Sequence, residues 1–457
     1  MSELATEPNS NITSSLPLLA RTRSGVEFAP NAASWVYRDA IENVHLNFSK
    51  LPLTPLLLTS AKCSLLWYAE HMSSAHLKNM FERLCHFAES VSSDQDGQLE
   101  EINGINLINY QAKLTEKTRW YLGSLSGFLK RWHSLGYPGV TADAIKLLKQ
   151  IRKPGNKKGE AVLTHDPIQG PFTDIELQAL QFALDQAYET EQFDKESYLL
   201  ACLFMLFGQR SAQYAALKVR DVAVTRATDG TSIYTLSVPR AKQRNQLVRA
   251  EHKTRILIPQ IGVLLLEHAN EIQKEFRELL HDSFDAPLFP SRQKEIRQPD
   301  GFAYHRTAET LSDALEKPLK QLRVMSERTG QPLHINARRF RRTVATRAAI
   351  EGHSKLIIAE LLDHTDTQSV GIYIEARPEI IKRIDRAMAM HLAPMAQAFA
   401  GVLIRDESEA LRLGDPTSRV CDPRYDTSMK PLGNCGKHGF CGLFAPISCY
   451  TCVNFQP

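Results

Sequence analysis

The sequence lacks any long hydrophobic run. Its longest apolar stretch, YLLACLFMLF at 198–207, has ten residues, which is about half of what a membrane-spanning helix requires. The N-terminal segment MSELATEPNSNITSS is polar and lacks the basic and then apolar order of a signal peptide. We therefore expect a protein that contacts no membrane and remains in the cytoplasm.

Low-complexity segments and a strong excess of charge are also absent. The 457 residues include 55 basic and 51 acidic side chains, for a net charge of +4, and 43% are apolar. These proportions exclude disordered and collagen-like architectures, and the length predicts two or three domains. The net charge is too small to indicate a nucleic-acid partner, so the positions of the basic residues matter more than their number.

Cysteine is scarce in most of the chain. Cys63, Cys85 and Cys202 lie in apolar surroundings, where a small buried side chain is the ordinary interpretation. The other five cysteines fall in the last 37 residues. In a reducing compartment such a cluster favours a metal site over disulfides.

The cysteine-rich tail contains one C-x-x-C pair, Cys449 and Cys452, which is typical of zinc knuckles. Cys435 and Cys441, in the Gly-rich segment GNCGKHGFCG, would complete a four-cysteine site. The sequence therefore predicts a structural zinc ion held by Cys435, Cys441, Cys449 and Cys452. Cys421 and His438 are reserve ligands, and an iron–sulfur cluster is the alternative.

Hydrophobic periodicity divides the chain into segments. Leu77, Met80, Phe81, Leu84 and Cys85 follow helical spacing, as do the apolar residues from 121 to 132, and Gly136 and Pro138 end the pattern. The stretch 151–170 is rich in Lys, Gly and Pro and has no period. The predicted organisation is an N-terminal, partly ordered arm (1–55), a helical domain (56–150), a basic linker (151–170), a mixed domain (171–395) and a cysteine-rich tail (396–457).

The mixed domain is predicted to be mainly helical with a small β-sheet. Thr173 and Glu176 have the spacing of a capping box that opens a helix. Residues 233–238 alternate like a strand, and 255–258 could pair with them, leaving the basic connection AKQRNQLVRAEHK between the two. The predicted fold class is therefore α+β.

The densest positive segment is RRFRRTVATR at 338–347, with five arginines in ten residues. An isolated arginine run is more often a solvated helix face than a site. Two other segments change that interpretation. Arg210 follows an apolar helix and Gly208, and His364 precedes Tyr373 by nine residues.

These three segments resemble the catalytic boxes of the tyrosine recombinases, the phage-integrase family. The first box, G-x-R-x-x-E-x-x-x-L, matches at Gly208, Arg210 and Leu217. The second, H-x-L-R-H-T-x-A-T, matches at Arg341, Thr343, Ala345 and Thr346. The third, L-G-H followed by a tyrosine nine residues later, matches at Leu362, His364 and Tyr373. The resemblance covers about 173–386, and the preceding segment fits the family's core-binding domain only by size and position.

Four positions depart from the family pattern. Arg338 stands where the family usually has histidine, and Arg342 stands where histidine is frequent. Gln213 replaces the glutamate of the first box, and Asp363 replaces the glycine before the histidine. Arginine can donate to a phosphate, but it is a poor general acid because it holds its proton. These departures indicate a divergent subgroup or a weakened enzyme.

The residue types suit the cleavage of a DNA phosphodiester. The five-coordinate transition state carries negative charge on its non-bridging oxygens, which guanidiniums can bind while remaining charged. A tyrosine positioned in line acts as the nucleophile, and a general acid gives a proton to the departing 5′-oxygen. The resemblance implies that Tyr373 is the nucleophile. Arg210, Arg341, His364 and Arg338 would contact the phosphate, and Lys242 would be the general acid, with Lys253 as the alternative.

The same resemblance implies that catalysis uses no metal or nucleotide. The expected partner is double-stranded DNA at specific recombination sites, with a homotetramer forming on DNA at the nucleoid and with accessory proteins of a mobile element. Two alternatives remain. A recombinase fold could bind DNA or assist assembly without effective catalysis, or the protein could be a type IB topoisomerase that relaxes DNA without site choice.

Overall fold

The computed structural model describes residues 15–93, 97–155, 159–243, 246–293, 299–364, 370–375, 401–421, 430–438 and 447–457. The chain divides into two compact units, Met1–Ile374 and Glu375–Pro457. The predicted boundary after residue 395 lies outside the described residues. None of the helices in these ranges combines the length and the apolar composition needed to span a bilayer.

The N-terminal segment contains β-structure that the sequence analysis did not predict. Its strands are β1 (Ala20–Arg21), β2 (Glu27–Phe28), β3 (Ser34–Asp39) and β4 (Glu42–Asn47), which form two antiparallel hairpins. Trp35 pairs with Leu46 and Tyr37 with Val44, and all four side chains are buried. The expected partly ordered arm is therefore regular from residue 20 to residue 47. Strands of six residues turn only about three side chains inward, so their periodic signal is weak.

A bundle of helices follows the hairpins. It consists of α1 (Pro55–His71), α2 (Ser74–Ser92), α3 (Gly104–Lys113), α4 (Tyr121–Ser134) and α5 (Ala142–Gln150). The predicted stripe on α2 is confirmed at Leu77, Met80, Phe81 and Leu84, which are buried, whereas Cys85, also expected to be buried, is half-buried at the edge of the core. These helices share one hydrophobic core with the hairpins. Phe48, just after β4, packs edge-on against Phe81 of α2 with 5.0 Å between ring centroids.

The mixed domain follows a linker that contains the short helix α6 (Glu160–Leu163). Its helices are α7 (Asp174–Glu189), α8 (Lys195–Phe207), α9 (Ser211–Ala215), α10 (Pro259–Glu275), α11 (Ala308–Gln321), α12 (Ala337–Ile350), α13 (Lys355–Leu361) and α14 (Gly371–Glu375). The predicted capping box is confirmed, since Thr173 and Glu176 exchange hydrogen bonds at the start of α7.

One three-stranded antiparallel sheet belongs to this domain. It has the order β5 (Val222–Arg226), β6 (Ser232–Pro239) and β7 (His252–Leu257). The predicted strand pair is confirmed, because Leu236 lies opposite Arg255 in the register of β6 and β7. The fold class is thus α+β as predicted, mainly helical with small antiparallel sheets.

The second compact unit contains a small sheet of its own. Its order is β10 (Phe455–Gln456), β9 (Pro431–Cys435) and β8 (Arg419–Cys421). Cys435 lies opposite Phe455 in the β9–β10 register. Cys449 and Cys452 lie in the turn that precedes β10, where the Cys452 amide donates to the Cys449 carbonyl at 3.0 Å.

Candidate active site

A cleft of about 870 Å³ in the mixed domain brings together all of the predicted catalytic residues. Its lining includes Arg210, Lys242, Arg338, Arg341, His364 and Tyr373. They come from four separate parts of the chain: the start of α9, the β6–β7 connection, helix α12 and the α13–α14 region. The sequence spacing thus predicted the members of one cavity, and their catalytic roles remain predictions.

The end of helix α8 places Arg210. The helix stops at Gly208, which adopts a left-handed φ of 54°, a conformation that glycine adopts without steric cost. A Cβ atom at Gly208 would lie 2.9 Å from the Cα atom of Arg341, so glycine also permits α8 to approach α12 closely. Arg210 then caps α9, and its amide donates to Gln213 Oε1 at 3.1 Å. Arg210 and Arg341 therefore come together where α8 ends against α12.

Helix α12 presents three arginines to the cleft. Arg338, Arg341 and Arg342 lie at positions i, i+3 and i+4, which share one helix face. The guanidinium of Arg341 donates to the carbonyl of Gly208 at 3.1 Å and to the carbonyl of Leu362. These bonds fix its plane and leave other donors of the guanidinium for a ligand.

The described lining of the cleft has an excess of positive charge. In the described part of the chain, no ion pair involves the guanidiniums of Arg210, Arg338, Arg341 or Arg342. The acidic side chain in the described lining, Glu316, is itself paired with a lysine at 2.9 Å. Guanidiniums that face each other without forming an ion pair favour the binding of an anion with several oxygens, such as a phosphate.

Tyr373 lies on α14 and faces the same cleft. Burial raises the pKa of its hydroxyl. The guanidiniums of Arg341, Arg342 and Arg210 lower this pKa in part. The tyrosine is therefore a protonated phenol at neutral pH. The guanidiniums beside it would stabilise the negative charge on its oxygen when the proton leaves.

The structure distinguishes the two candidate lysines. Lys242 lines the cleft at a left-handed φ of 62°. Burial lowers the pKa of its ammonium, and the nearby guanidiniums of Arg210, Arg341 and Arg338 lower that pKa further. Lys253 instead pairs with Glu360 at 2.5 Å, and its ammonium lies 3.8 Å from the carboxylate of Asp363. Of the two lysines, Lys242 is the one in the described lining of the cleft, and its role as the general acid remains a prediction.

Several lining residues were not predicted as site residues. Arg342 was noted only as a departure from the family pattern, although it lies one position after Arg341. The linker supplies Gly159, Val162 and Gln169, and a Cβ atom at Gly159 would lie 2.4 Å from the side chain of Ile372. Nothing in the aperiodic linker sequence signals this contact, because it depends on the folded path of the chain.

The predicted zinc site falls partly outside the described residues, because Cys441 lies there. Cys435, Cys449 and Cys452 are described. Within the described ranges, no group of three or more His, Cys, Asp or Glu side chains could hold a metal ion. A zinc ion in the tail therefore remains a prediction.

Comparisons with known proteins give the following matches. No protein-family model matches the sequence, and no curated protein matches it. Among solved structures, the chain is similar to XerH site-specific recombinase bound to difH substrate, with 16% identity, a TM-score of 0.42, and coverage of 73% of this chain and 83% of that one. It is similar to a lambda integrase (75–356) dimer bound to a COC′ core site, with 16% identity, a TM-score of 0.40, and coverage of 69% and 93%. It is also similar to the Tn1549 transposon integrase in complex with transposon right end DNA, with 13% identity, a TM-score of 0.39, and coverage of 68% and 93%.

Proposed function

We propose that the protein is a tyrosine-type site-specific DNA recombinase, which cleaves and rejoins DNA through a 3′-phosphotyrosine intermediate. The observation that carries the proposal is the cleft itself, in which the guanidiniums of Arg210, Arg341 and Arg342 lie near Tyr373. The similarity to solved recombinases is weak, so the proposal depends on the residues of this cleft and on the sequence boxes that predicted them.

The arginines would bind the scissile phosphate. Arg210 and Arg341 are held by backbone carbonyls, with Arg210 Nη1 at 3.4 Å from the carbonyl of Asp363. Such preorganised donors stabilise the negative charge that develops on the non-bridging oxygens. Arg338 would add a third guanidinium and His364 a hydrogen bond.

The covalent step follows from the position of Tyr373. Its phenolic oxygen would attack phosphorus and form the 3′-phosphotyrosine bond, while the bond from phosphorus to the 5′-oxygen breaks. The phenol proton is released to water, and Lys242 supplies the proton that the 5′-oxygen needs. The phosphotyrosine bond conserves the energy of the phosphodiester, so rejoining reverses the same steps.

The finer features follow from the resemblance alone. We propose that the helical and mixed domains hold the duplex between them, that four protomers pair two sites, and that the reaction integrates or excises a mobile element with its accessory proteins. Because basic side chains would contact many phosphates, affinity for DNA should fall steeply as salt rises.

A covalent trap tests the proposal. The full chain would be incubated with the DNA that flanks its gene and then denatured, and protein-linked DNA would be recovered from wild type, Tyr373→Phe and Tyr234→Phe. Tyr234 is a tyrosine of strand β6, which is outside the lining of the cleft, and it controls for the loss of a hydroxyl. DNA linked to wild type and Tyr234→Phe but not to Tyr373→Phe is the expected result, and the linked ends would give the site.

A second function has one observation in its favour. Arg338 stands where a proton-transferring histidine is usual, which fits a protein that binds DNA without cutting it. If wild type and Tyr373→Phe both bind the duplex and neither becomes linked, the recombinase proposal is wrong and this alternative replaces it. Relaxation of an arbitrary supercoiled plasmid would instead indicate a type IB topoisomerase.

A further inference from the structure

Asp363 occupies an unusual position immediately before His364. It is 2% exposed and has a left-handed φ of 52°. Residues other than glycine seldom adopt this conformation, although aspartate and asparagine tolerate it better than most. A buried carboxylate in such a turn requires partners that compensate for its lost hydration.

Those partners come from two segments that adjoin the cleft, the start of the β6–β7 connection and helix α9. One oxygen, Oδ1, accepts from the guanidinium Nε of Arg240 at 2.7 Å. The other, Oδ2, accepts from the amide of Ala241 at 3.1 Å and from the side-chain amide of Gln213 at 3.2 Å. The carboxylate therefore binds both the start of the β6–β7 connection and the helix that follows Arg210.

The next residue along the connection is Lys242. The guanidinium of Arg240 also pairs with Glu251 at 2.9 Å, and the Arg240 amide donates to the Glu251 carbonyl at 2.8 Å, so the two sides of the connection are joined at this point. The Asp363 carboxylate accepts hydrogen bonds from Arg240 and Ala241 at this end of the connection. The amide of Ala241 is hydrogen-bonded to the Asp363 carboxylate, and Ala241 is the residue before Lys242. The carboxylate therefore constrains the backbone that carries Lys242.

We infer that Asp363 is a positioning residue, whose buried carboxylate holds the Arg240–Ala241 turn so that Lys242 lies in the cleft. This inference rests on the proposed recombinase function, in which Lys242 protonates the 5′-oxygen. The carboxylate also stands close to Arg210 and Arg341, where its charge moderates their mutual repulsion. Its oxygens are already occupied, so it does not compete with a phosphate for their remaining donors.

The test compares two leaving groups on the duplex that the covalent trap identifies. One duplex has the natural 5′-oxygen at the cleaved bond, and the other has a 5′-bridging sulfur, which leaves as a thiolate and needs no general acid because thiols are far more acidic than alcohols. The variants are Asp363→Asn, Lys242→Ala and Tyr373→Phe. Asp285→Asn is the matched control, because Asp285 pairs with Lys218 at 2.7 Å in the same domain, outside the described lining of the cleft.

On the oxygen duplex, we expect covalent adduct formation to slow by roughly 100-fold in Asp363→Asn and in Lys242→Ala. On the sulfur duplex, both variants should come within about tenfold of wild type, whereas Tyr373→Phe stays inactive on both. Asp285→Asn should cleave both duplexes like wild type. Cleavage of the oxygen duplex by Asp363→Asn at the wild-type rate would overturn the inference, as would an equal deficit on both duplexes.

Hydrogen exchange gives a readout that does not depend on cleavage. In Asp363→Asn the amide of Ala241 should exchange roughly tenfold faster, because it loses a charge-assisted hydrogen bond, while the amides of β6 exchange close to the wild-type rate. If wild type forms no adduct on either duplex, the proposed function fails. The exchange rate then still decides whether Asp363 holds the turn, and an unchanged rate at Ala241 would refute it.

Discussion

Arg339 and Glu176 form an ion pair at 2.9 Å in which neither side chain is exposed to solvent (0% for both). Arg339 belongs to the same arginine run as the residues of the cleft, but its guanidinium lies over the ring of Phe172 at 3.9 Å and donates to the carbonyl of Gly170 at 3.0 Å. The run therefore divides by helix face. One face binds the end of the linker and the first turn of α7, and the other face lines the cleft.

This division predicts a large loss of stability in Glu176→Gln. Glu176 also binds Arg328 at 2.5 Å, so neutralising it leaves two arginines without their buried counterion. Removing one partner of a buried pair costs about 3–5 kcal/mol, and we expect the free energy of unfolding to fall by that amount. Urea denaturation of the full chain would measure it.

The control for this variant is Asp313→Asn, which breaks the exposed pair between Asp313 and Lys317 at 2.9 Å. Exposed pairs contribute about 0–1 kcal/mol, so this variant should unfold near the wild-type midpoint. Equal effects of the two variants would show that the Arg339 face of α12 is not a stabilising contact.

The second prediction concerns Arg341 and its ability to bind two oxygens at once. In Arg341→Lys an ammonium group replaces the planar guanidinium. The substitution therefore removes the guanidinium's hydrogen bonds to the carbonyls of Gly208 and Leu362. We expect the rate of covalent adduct formation to fall by about 10²–10³-fold, with a smaller loss of DNA affinity. Single-turnover trapping and filter binding would separate the two quantities.

Arg347→Lys provides a matched comparison on the same helix. The side chain of Arg347 is 53% exposed and lies 3.6 Å from Asp174, outside the described lining of the cleft. Its replacement should leave the rate of adduct formation unchanged. If both variants lose the same activity, α12 contributes general positive charge and Arg341 has no special role at the phosphate.

The third prediction concerns the metal content of the cysteine-rich tail. We expect the purified protein to contain about one equivalent of zinc, bound by thiolates. Cys449→Ser and Cys452→Ser should lose it, whereas Cys85→Ser, in helix α2 of the other unit, should retain it. Elemental analysis measures this directly. Iron in the amount of one iron–sulfur cluster per chain would indicate that alternative. The absence of both zinc and iron would refute a metal site.

Local spacing explains why the sequence predicted so much of the cleft. Arg338 and Arg341 lie on one face because they are three positions apart in a helix, and the β6–β7 pair follows from alternation. The contact between Gln213 and Asp363 joins residues 150 positions apart. Each looked like a separate departure from the family pattern, and only the folded chain shows that the two bind each other.

Other features lay beyond the sequence for related physical reasons. The β3–β4 turn at Ile41 contributes to the hydrophobic core of the mixed domain, and the amide of Ala308 donates to the Ile41 carbonyl at 2.9 Å. Hydrophobic periodicity in the sequence cannot predict a contact between a short hairpin and a domain that is distant in the sequence. The proximity of Gly159 to Ile372 is of the same kind, since a glycine-rich linker shows only where the chain may bend.

The last prediction is the pH dependence of cleavage. Lys242 must carry a proton to act as the general acid, and its surroundings lower its pKa. The rate of adduct formation should therefore fall as pH rises through this lowered pKa, at lower pH than for an ordinary lysine. In Lys242→Arg the group keeps its proton, so the alkaline fall should disappear while the overall rate drops by roughly 100-fold.

Lys253→Ala separates this effect from the loss of any positive charge in the β6–β7 connection. Its ammonium pairs with Glu360 at 2.5 Å, so the variant should keep the alkaline fall of wild type. A duplex with a 5′-bridging sulfur should show no fall in wild type, because no proton is needed at its leaving group. An alkaline fall that persists in Lys242→Arg and disappears in Lys253→Ala would assign the general acid to Lys253. Asp363, whose carboxylate lies 3.8 Å from the Lys253 ammonium, would then position that lysine instead of Lys242.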